Sequence, residues 1–256
     1  MTQVAIQGTL NTTIKNKIAT VQFGHPASNS FPRLLLNALT NELDKLSSNT
    51  DVALIVLKSE GTGAFCAGAS FDELLAVSDL EEGTEFFSGF AHLINAMRRC
   101  SKLIIGRIHG KAVGGGVGIA SACDYAFATV DASIKLSELA IGIGPFVIEP
   151  AVSRKIGKTA MTTMTLEAHE WKTSAWGYDN GLYTKVLANA TELDIELAHF
   201  TQRLATYNPD ALTEMKKIIW EGTNHWDTLL LQRAAITGKL VLSDYAKNAL
   251  EQFKKK

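Results

Sequence analysis

With 256 residues, 46% of them hydrophobic, and 25 Lys plus Arg against 26 Asp plus Glu, the chain can bury a sizeable core and carries no net field toward nucleic acid or an acidic membrane. Cys66, Cys100 and Cys123 are odd in number and lack CxxC spacing, which argues against a disulfide framework or zinc site and fits a reducing, cytoplasmic setting. Any anionic ligand must therefore be held locally.

The N-terminus, with Gln3, Gln7 and Asn11 scattered through it, lacks the charged start and unbroken apolar run of a secretory signal. Four β-branched apolar runs predict strands over residues 17–23, 52–58, 103–108 and 125–129. Helical stripes lie between them: Leu36, Leu39, Leu43 and Leu46 repeat at three and four, as do Phe86, Phe90, Leu93 and Met97. Strands alternating with helices predict an α/β layer architecture. The most apolar segment, 112–122, is Gly-rich and falls short of the roughly 20 residues that span a bilayer. Residues 142–145 break the pattern as a loop does.

Beyond about residue 190 the strand signal disappears. Leu193, Leu197, Phe200 and Leu204 follow Thr191-x-x-Asp194, which resembles a capping box with Asp in place of Glu. Further helices are expected after Pro209, after the Gly222 break, and from Asp244 onward. Two regions result, a core over 1–190 in which strands and helices alternate and a helical region over 191–256.

Two glycine-marked segments each follow a strand and open a helix: residues 61–69, ending Cys66-Ala67-Gly68-Ala69, and residues 110–118, containing Gly114-Gly115-Gly116-Val117-Gly118. Glycine lets the backbone turn tightly and approach a ligand closely, and a first helical turn leaves N–H groups free for an anion or developing oxyanion. The same glycines also serve tight packing of helix on sheet. Neither segment has a P-loop ending or GxGxxG spacing. His25, His92, His109, His169, His199 and His225 lack HExxH spacing, and there is no GxSxG elbow. Cys66 has no paired base in view and reads as a small packing residue, and His109 as a hydrogen-bonded structural histidine.

Residues 64–69 and 114–124 closely resemble the two signature blocks of the crotonase (enoyl-CoA hydratase/isomerase) family. The similarity continues in order through Leu136-Ser137-Glu138, residues 142–145, Gly181-Leu182 before Val186, Asn208-Pro209 with Lys216, and residues 244–253, so it spans nearly the whole chain from about Asn16. The resemblance implies a crotonase-like spiral of ββα turns (the ClpP/crotonase fold) and a C-terminal helical trimerisation region. It also implies assembly as a homotrimer or dimer of trimers, and an acyl-CoA thioester ligand. The backbone N–H groups of Ala69 and Gly115 would hold the thioester oxygen, and Ala67, Ser70 and Phe71 would line the CoA arm. Lys254 to Lys256 would reach a nucleotide phosphate on an adjacent subunit or else form a solvated end. No metal or redox cofactor is implied, because the thioester is itself the electron sink.

Glu138 matches the family's glutamate after a later strand and is the implied acid/base group. A second glutamate common in hydratases would fall at Gly118. Ser70 replaces an acidic residue, and Phe146 stands where the family has a small residue and is expected to reshape the acyl pocket; Glu149 is a candidate replacement carboxylate. The pattern is similar to branched-chain, methylglutaconyl-CoA-like hydratases, so hydration of an enoyl-CoA is the first expectation. A one-glutamate 3-enoyl to 2-enoyl-CoA isomerase and a non-catalytic acyl-CoA binding subunit are the alternatives.

Overall fold

The computed structural model describes residues 8–254, so the phosphate contact expected of Lys254 to Lys256 lies outside the described side chains. The main sheet runs in the order β1 (Thr9–Lys15), β2 (Ile18–Gly24), β3 (Leu54–Ser59), β4 (Leu103–Ile108), β6 (Tyr125–Thr129) and β8 (Lys185–Leu187). All neighbours pair in parallel except β1 with β2. Strands β3 and β4 read as continuous apolar runs because helices cover both their faces, as parallel sheets require.

Strand β1 was not predicted. It is mostly exposed and joins β2 through Asn16 and Lys17, whose φ values of 51° and 64° are those of a tight primed hairpin turn. Lys17 belongs to that turn rather than to the strand.

A second, smaller sheet pairs β5 (Ala112–Val113) with β7 (Ile134–Lys135). Isolated bridges extend it from Cys66 to Ala112 and from Ile134 to Lys172. Each turn of the chain thus lays one strand in the main sheet, one short segment in the small sheet, and then a helix. From β3 the chain passes Cys66 into α2 (Phe71–Ala76) and α3 (Leu80–Arg99). From β4 it passes β5 into α4 (Gly115–Ala122), and from β6 it passes β7 into a 3-10 turn (Glu138–Ile141) and α5 (Glu149–Leu166). This is the expected ββα spiral.

Both predicted leucine and phenylalanine stripes, on α1 (Arg33–Ser48) and on α3, are at most 4% exposed. After α6 (Ser174–Asp179), the tail forms α7 (Ala190–Leu204), α8 (Pro209–Ile219), α9 (Trp226–Leu240) and α10 (Asp244–Lys254). Helix α7 starts earlier than the proposed capping box. Asn189 is its cap, accepting from Glu192 N and donating to the Glu192 carboxylate. Asp194 instead pairs with Arg107 at 2.5 Å.

Leu193, Leu197, Leu204 and Leu212 pack with Leu54, Leu103, Ile105 and Phe127, so α7 and α8 cover one face of the main sheet. Helix α9 crosses α3 so closely that a Cβ on Gly83 would stand 2.9 Å from Gly238 O. That crossing lays α9 along the edge of the cavity described next. Beneath, buried Asp124 accepts from Lys216 Nζ at 2.6 Å, Trp220 Nε1 at 2.7 Å and Ile104 N at 2.7 Å.

Candidate active site

The two glycine-marked segments meet. Cys66 and Ala112 pair through Cys66 N to Lys111 O and Val113 N to Cys66 O, at 3.2 and 2.9 Å. A Cβ on Gly116 would stand 2.6 Å from Cys66 O, so only glycine lets α4 settle on the first segment. Gly68, at φ 89°, packs so that an added Cβ would lie 3.4 Å from Gly115 N.

Hydrogen bonding then leaves a donor over in each segment that faces one cavity. Phe31 N donates to Gly68 O and Ser70 N to Phe31 O, which turns the Ala69 N–H away from that bridge. Gly114 N donates to Lys135 O, and the first helical bonds of α4 begin at Val117 N and Gly118 N. Among the described residues the Ala69 and Gly115 N–H groups have no protein acceptor, and both residues line one cavity of about 640 Å³. Free backbone donors of this kind stabilise a developing oxyanion.

Glu138 enters the same cavity from the small-sheet side. Its residue is half-buried as a whole, but its carboxyl is enclosed: Oε2 is buried without a hydrogen-bond partner, and Oε1 lies 2.8 Å from where a Cβ on Gly114 would be. Burial pushes its pKa up to about 7. A carboxyl poised there both takes and returns a proton at neutral pH.

Ala67, Ser70 and Phe71 also line the cavity. Ser70 caps α2, accepting from Glu73 N. Two expectations are corrected. Phe146 does not line the cavity; its half-buried ring packs over Gly144, while Pro145, Val147 and Ile148 face inward. Glu149 is also not a spare acid/base group. Burial alone would raise its pKa, but hydrogen bonds from Lys158, Ser153 and Arg233 prevail and hold it at about 2.

Gly118 is occupied in a different way: a Cβ there would collide with Ile148 Cγ2, so an isoleucine fills the space next to the position of the absent glutamate. Gly115 likewise lies against the Phe90 ring. Sequence reasoning missed Ile148, Lys135, Trp171 and Thr237 of α9, all on the cavity wall; Lys135 and Ile148 each lie three residues from a recognised position, Glu138 and Pro145. Cys66 is a packing thiol, its pKa pushed up to about 12 by burial. His109 departs from expectation, because neither ring nitrogen has a hydrogen-bond partner; burial, with Arg107 and Lys58 nearby, lowers its pKa to about 4.

Comparison with known proteins identifies the family. The chain is 25% identical over 241 residues to a probable enoyl-CoA hydratase of Bacillus subtilis, covering 93% of each. It is 36% identical to human mitochondrial methylglutaconyl-CoA hydratase, but over only 46% of this chain and 34% of that enzyme. The crystal structure of enoyl-CoA hydratase from Bacillus halodurans superposes with a TM-score of 0.87 at 22% identity, covering 95% of this chain and 99% of that one. Residues 13–256 match the family model for enoyl-CoA hydratase/isomerase, and the protein is an enzyme belonging to that family.

Proposed function

We propose that the protein hydrates a 2-enoyl-CoA thioester, with Glu138 as its single acid/base group. One observation carries the reading: a buried carboxyl with an unpartnered Oε2 and a pKa near 7 lies against the Gly114–Gly115 backbone, where a free N–H faces the same cavity. The thioester oxygen accepts from Ala69 N–H and Gly115 N–H. Ionised Glu138 takes a proton from water as the water oxygen bonds to C3, and the C2=C3 electron pair moves into the enolate. Protonated Glu138 then delivers that proton to C2 and the thioester carbonyl re-forms. Each missing oxyanion donor costs about 2.7–4 kcal/mol in such reactions. The hydratase names of the Bacillus and human relatives support hydration, and the latter supports a short branched acyl group.

A specific observation favours a second reading. Ile148 packs over Gly118 and Glu149 is bound to Arg233, so neither position 118 nor position 149 offers Glu138 a second carboxylate for fixing water. That arrangement suits a 3-enoyl to 2-enoyl-CoA isomerase, in which one carboxylate moves a proton from C2 to C4. Ultraviolet absorbance separates the two. Hydration removes the conjugated-thioester band from crotonyl- or methylglutaconyl-CoA, whereas isomerisation creates it from a 3-enoyl-CoA. Neither change in either substrate would leave the non-catalytic binding subunit. The same reading makes the enzyme a trimer or dimer of trimers, supported by exposed Ile195, Met215 and Ile218 on α7 and α8; light scattering in solution tests it.

A further inference from the structure

The small sheet that brings the two glycine segments together also builds one wall of the cavity. Side chains alternate across such a sheet. The bridging residues Cys66, Ala112 and Ile134 are fully buried on one face, while Ala67, Val113, Lys135 and Trp171 line the cavity on the other. Lys111, just before β5, does not line the cavity itself, but its ammonium reaches the Trp171 ring at the rim.

The far end of this wall has an unusual charge arrangement. Lys135 Nζ lies 4.7 Å and Lys111 Nζ 4.9 Å from the centroid of the Trp171 ring. Trp171 is 41% exposed, an open aromatic surface at the rim. Among the described residues neither lysine pairs with a carboxylate, whereas the neighbouring Lys172 pairs with Glu167. The other acids of the cavity, Asp72 and Glu138, are not within ion-pair distance of either lysine. Two ammonium groups around one ring repel each other, and cation–π attraction to an exposed ring is modest. In a chain whose charges almost cancel, this is a local excess directed at the ligand space. Lys135 O accepts from Gly114 N at 2.9 Å, so Lys135 starts one strand spacing, about 5 Å, from the backbone that would hold the thioester.

We infer that Lys111, Lys135 and Trp171 form a second, anion-receiving subsite on the cavity rim, for negatively charged oxygens of the acyl-CoA other than the thioester. The inference rests on the acyl-CoA reading above. Two parts of the ligand carry that chemistry: a carboxylate on the acyl group, and the phosphates of CoA. The ammonium groups supply charge-assisted hydrogen bonds, and the indole face packs against the apolar chain that bears the anion.

The test is calorimetric titration of the Glu138→Gln protein, in which turnover should fall at least about a hundredfold, with crotonyl-CoA, crotonyl-pantetheine and glutaconyl-CoA. Each titration is repeated after adding Lys111→Met and Lys135→Met together. An affinity loss of about tenfold or more is expected wherever the anion is present, the scale of a lost charge-assisted bond, and Lys135→Arg should recover part of it. A loss confined to glutaconyl-CoA identifies an acyl carboxylate. A loss on both CoA esters that spares uncharged crotonyl-pantetheine identifies a CoA phosphate. No loss, or an equal loss on all three ligands, overturns the subsite while leaving the acyl-CoA reading intact. Failure of all three ligands to bind with both lysines in place overturns that reading and the subsite with it.

Discussion

Replacing Glu138 by Gln should slow turnover and, at alkaline pH, stabilise the fold. The carboxyl is enclosed, and burial raises its pKa from 4.5 to about 7. A group whose folded pKa is raised binds its proton more tightly in the folded state. Its contribution is fully favourable below 4.5 and is lost as pH rises through 7. At about 1.4 kcal/mol per unit, the cost of ionising Glu138 in place approaches about 3 kcal/mol at pH 8. Glutamine removes that dependence. Its amide leaves donors without partners in the same space, but this penalty is equal at every pH. The difference in Tm between Glu138→Gln and the parent should therefore grow from pH 4.5 to pH 8, by about 2–4 °C for each kcal/mol in a chain of this size. Thermal melts at half-unit pH steps measure it, and turnover should fall at least about a hundredfold. Parallel Tm curves would refute the raised pKa, and unchanged turnover would remove Glu138 from the reaction.

Four further outcomes follow from particular contacts. Gly114 sits at φ 51° and ψ −118°, where side chains are strained by about 1–3 kcal/mol, and an added Cβ would press on Glu138 Oε1; Gly114→Ala should cut kcat by about tenfold or more with a smaller change in KM. Gly118→Ala should destabilise by about 1–3 kcal/mol through collision with Ile148, and Ile148→Ala should relieve much of that in a double-mutant cycle; additive effects would deny the contact. Lys216→Met strips the buried Asp124 carboxylate of its cation and should cost about 3–5 kcal/mol in urea unfolding. His109, its pKa lowered from 6.5 to about 4, stays neutral in the fold while the unfolded chain takes up a proton; stability should therefore fall as pH drops from 6.5 to 4, and His109→Gln should flatten that limb.

What was legible in the sequence is whatever repeats over enough residues. Residues 103–108 and 125–129 were predicted to the residue because parallel strands covered on both faces need unbroken apolar runs. Strand β1 left no such trace, since its seven residues are mostly exposed, and β5 and β7 are two residues each, too short for any period. The small sheet they form is what brings Glu138, Lys135 and Trp171 to the cavity. Without it the site can be reached only through resemblance at Ala69, Gly115 and Glu138. The misreadings of Phe146 and Glu149 have one origin: sequence proximity to a pocket loop says nothing about direction, and in residues 145–149 it is Pro145, Val147 and Ile148 that turn inward.

The glycines of α4 show why the absent glutamate is more than a lost side chain. Gly115 admits the Phe90 ring, Gly116 the Cys66 backbone, and Gly118 the Ile148 side chain. Three close approaches from three separate elements converge on one turn of helix. Restoring a carboxylate at residue 118 would require Ile148 to leave, and Ile148 belongs to a loop fixed by Arg233, which donates to Phe146 O and binds Glu149. Arg233 in turn lies on α9, held to α3 at the Gly83–Gly238 crossing. The glycine at residue 118 is thus tied to the packing of the C-terminal helices over the cavity. A carboxylate at residue 118 cannot be added without displacing Ile148, because the volume it needs is already part of the core.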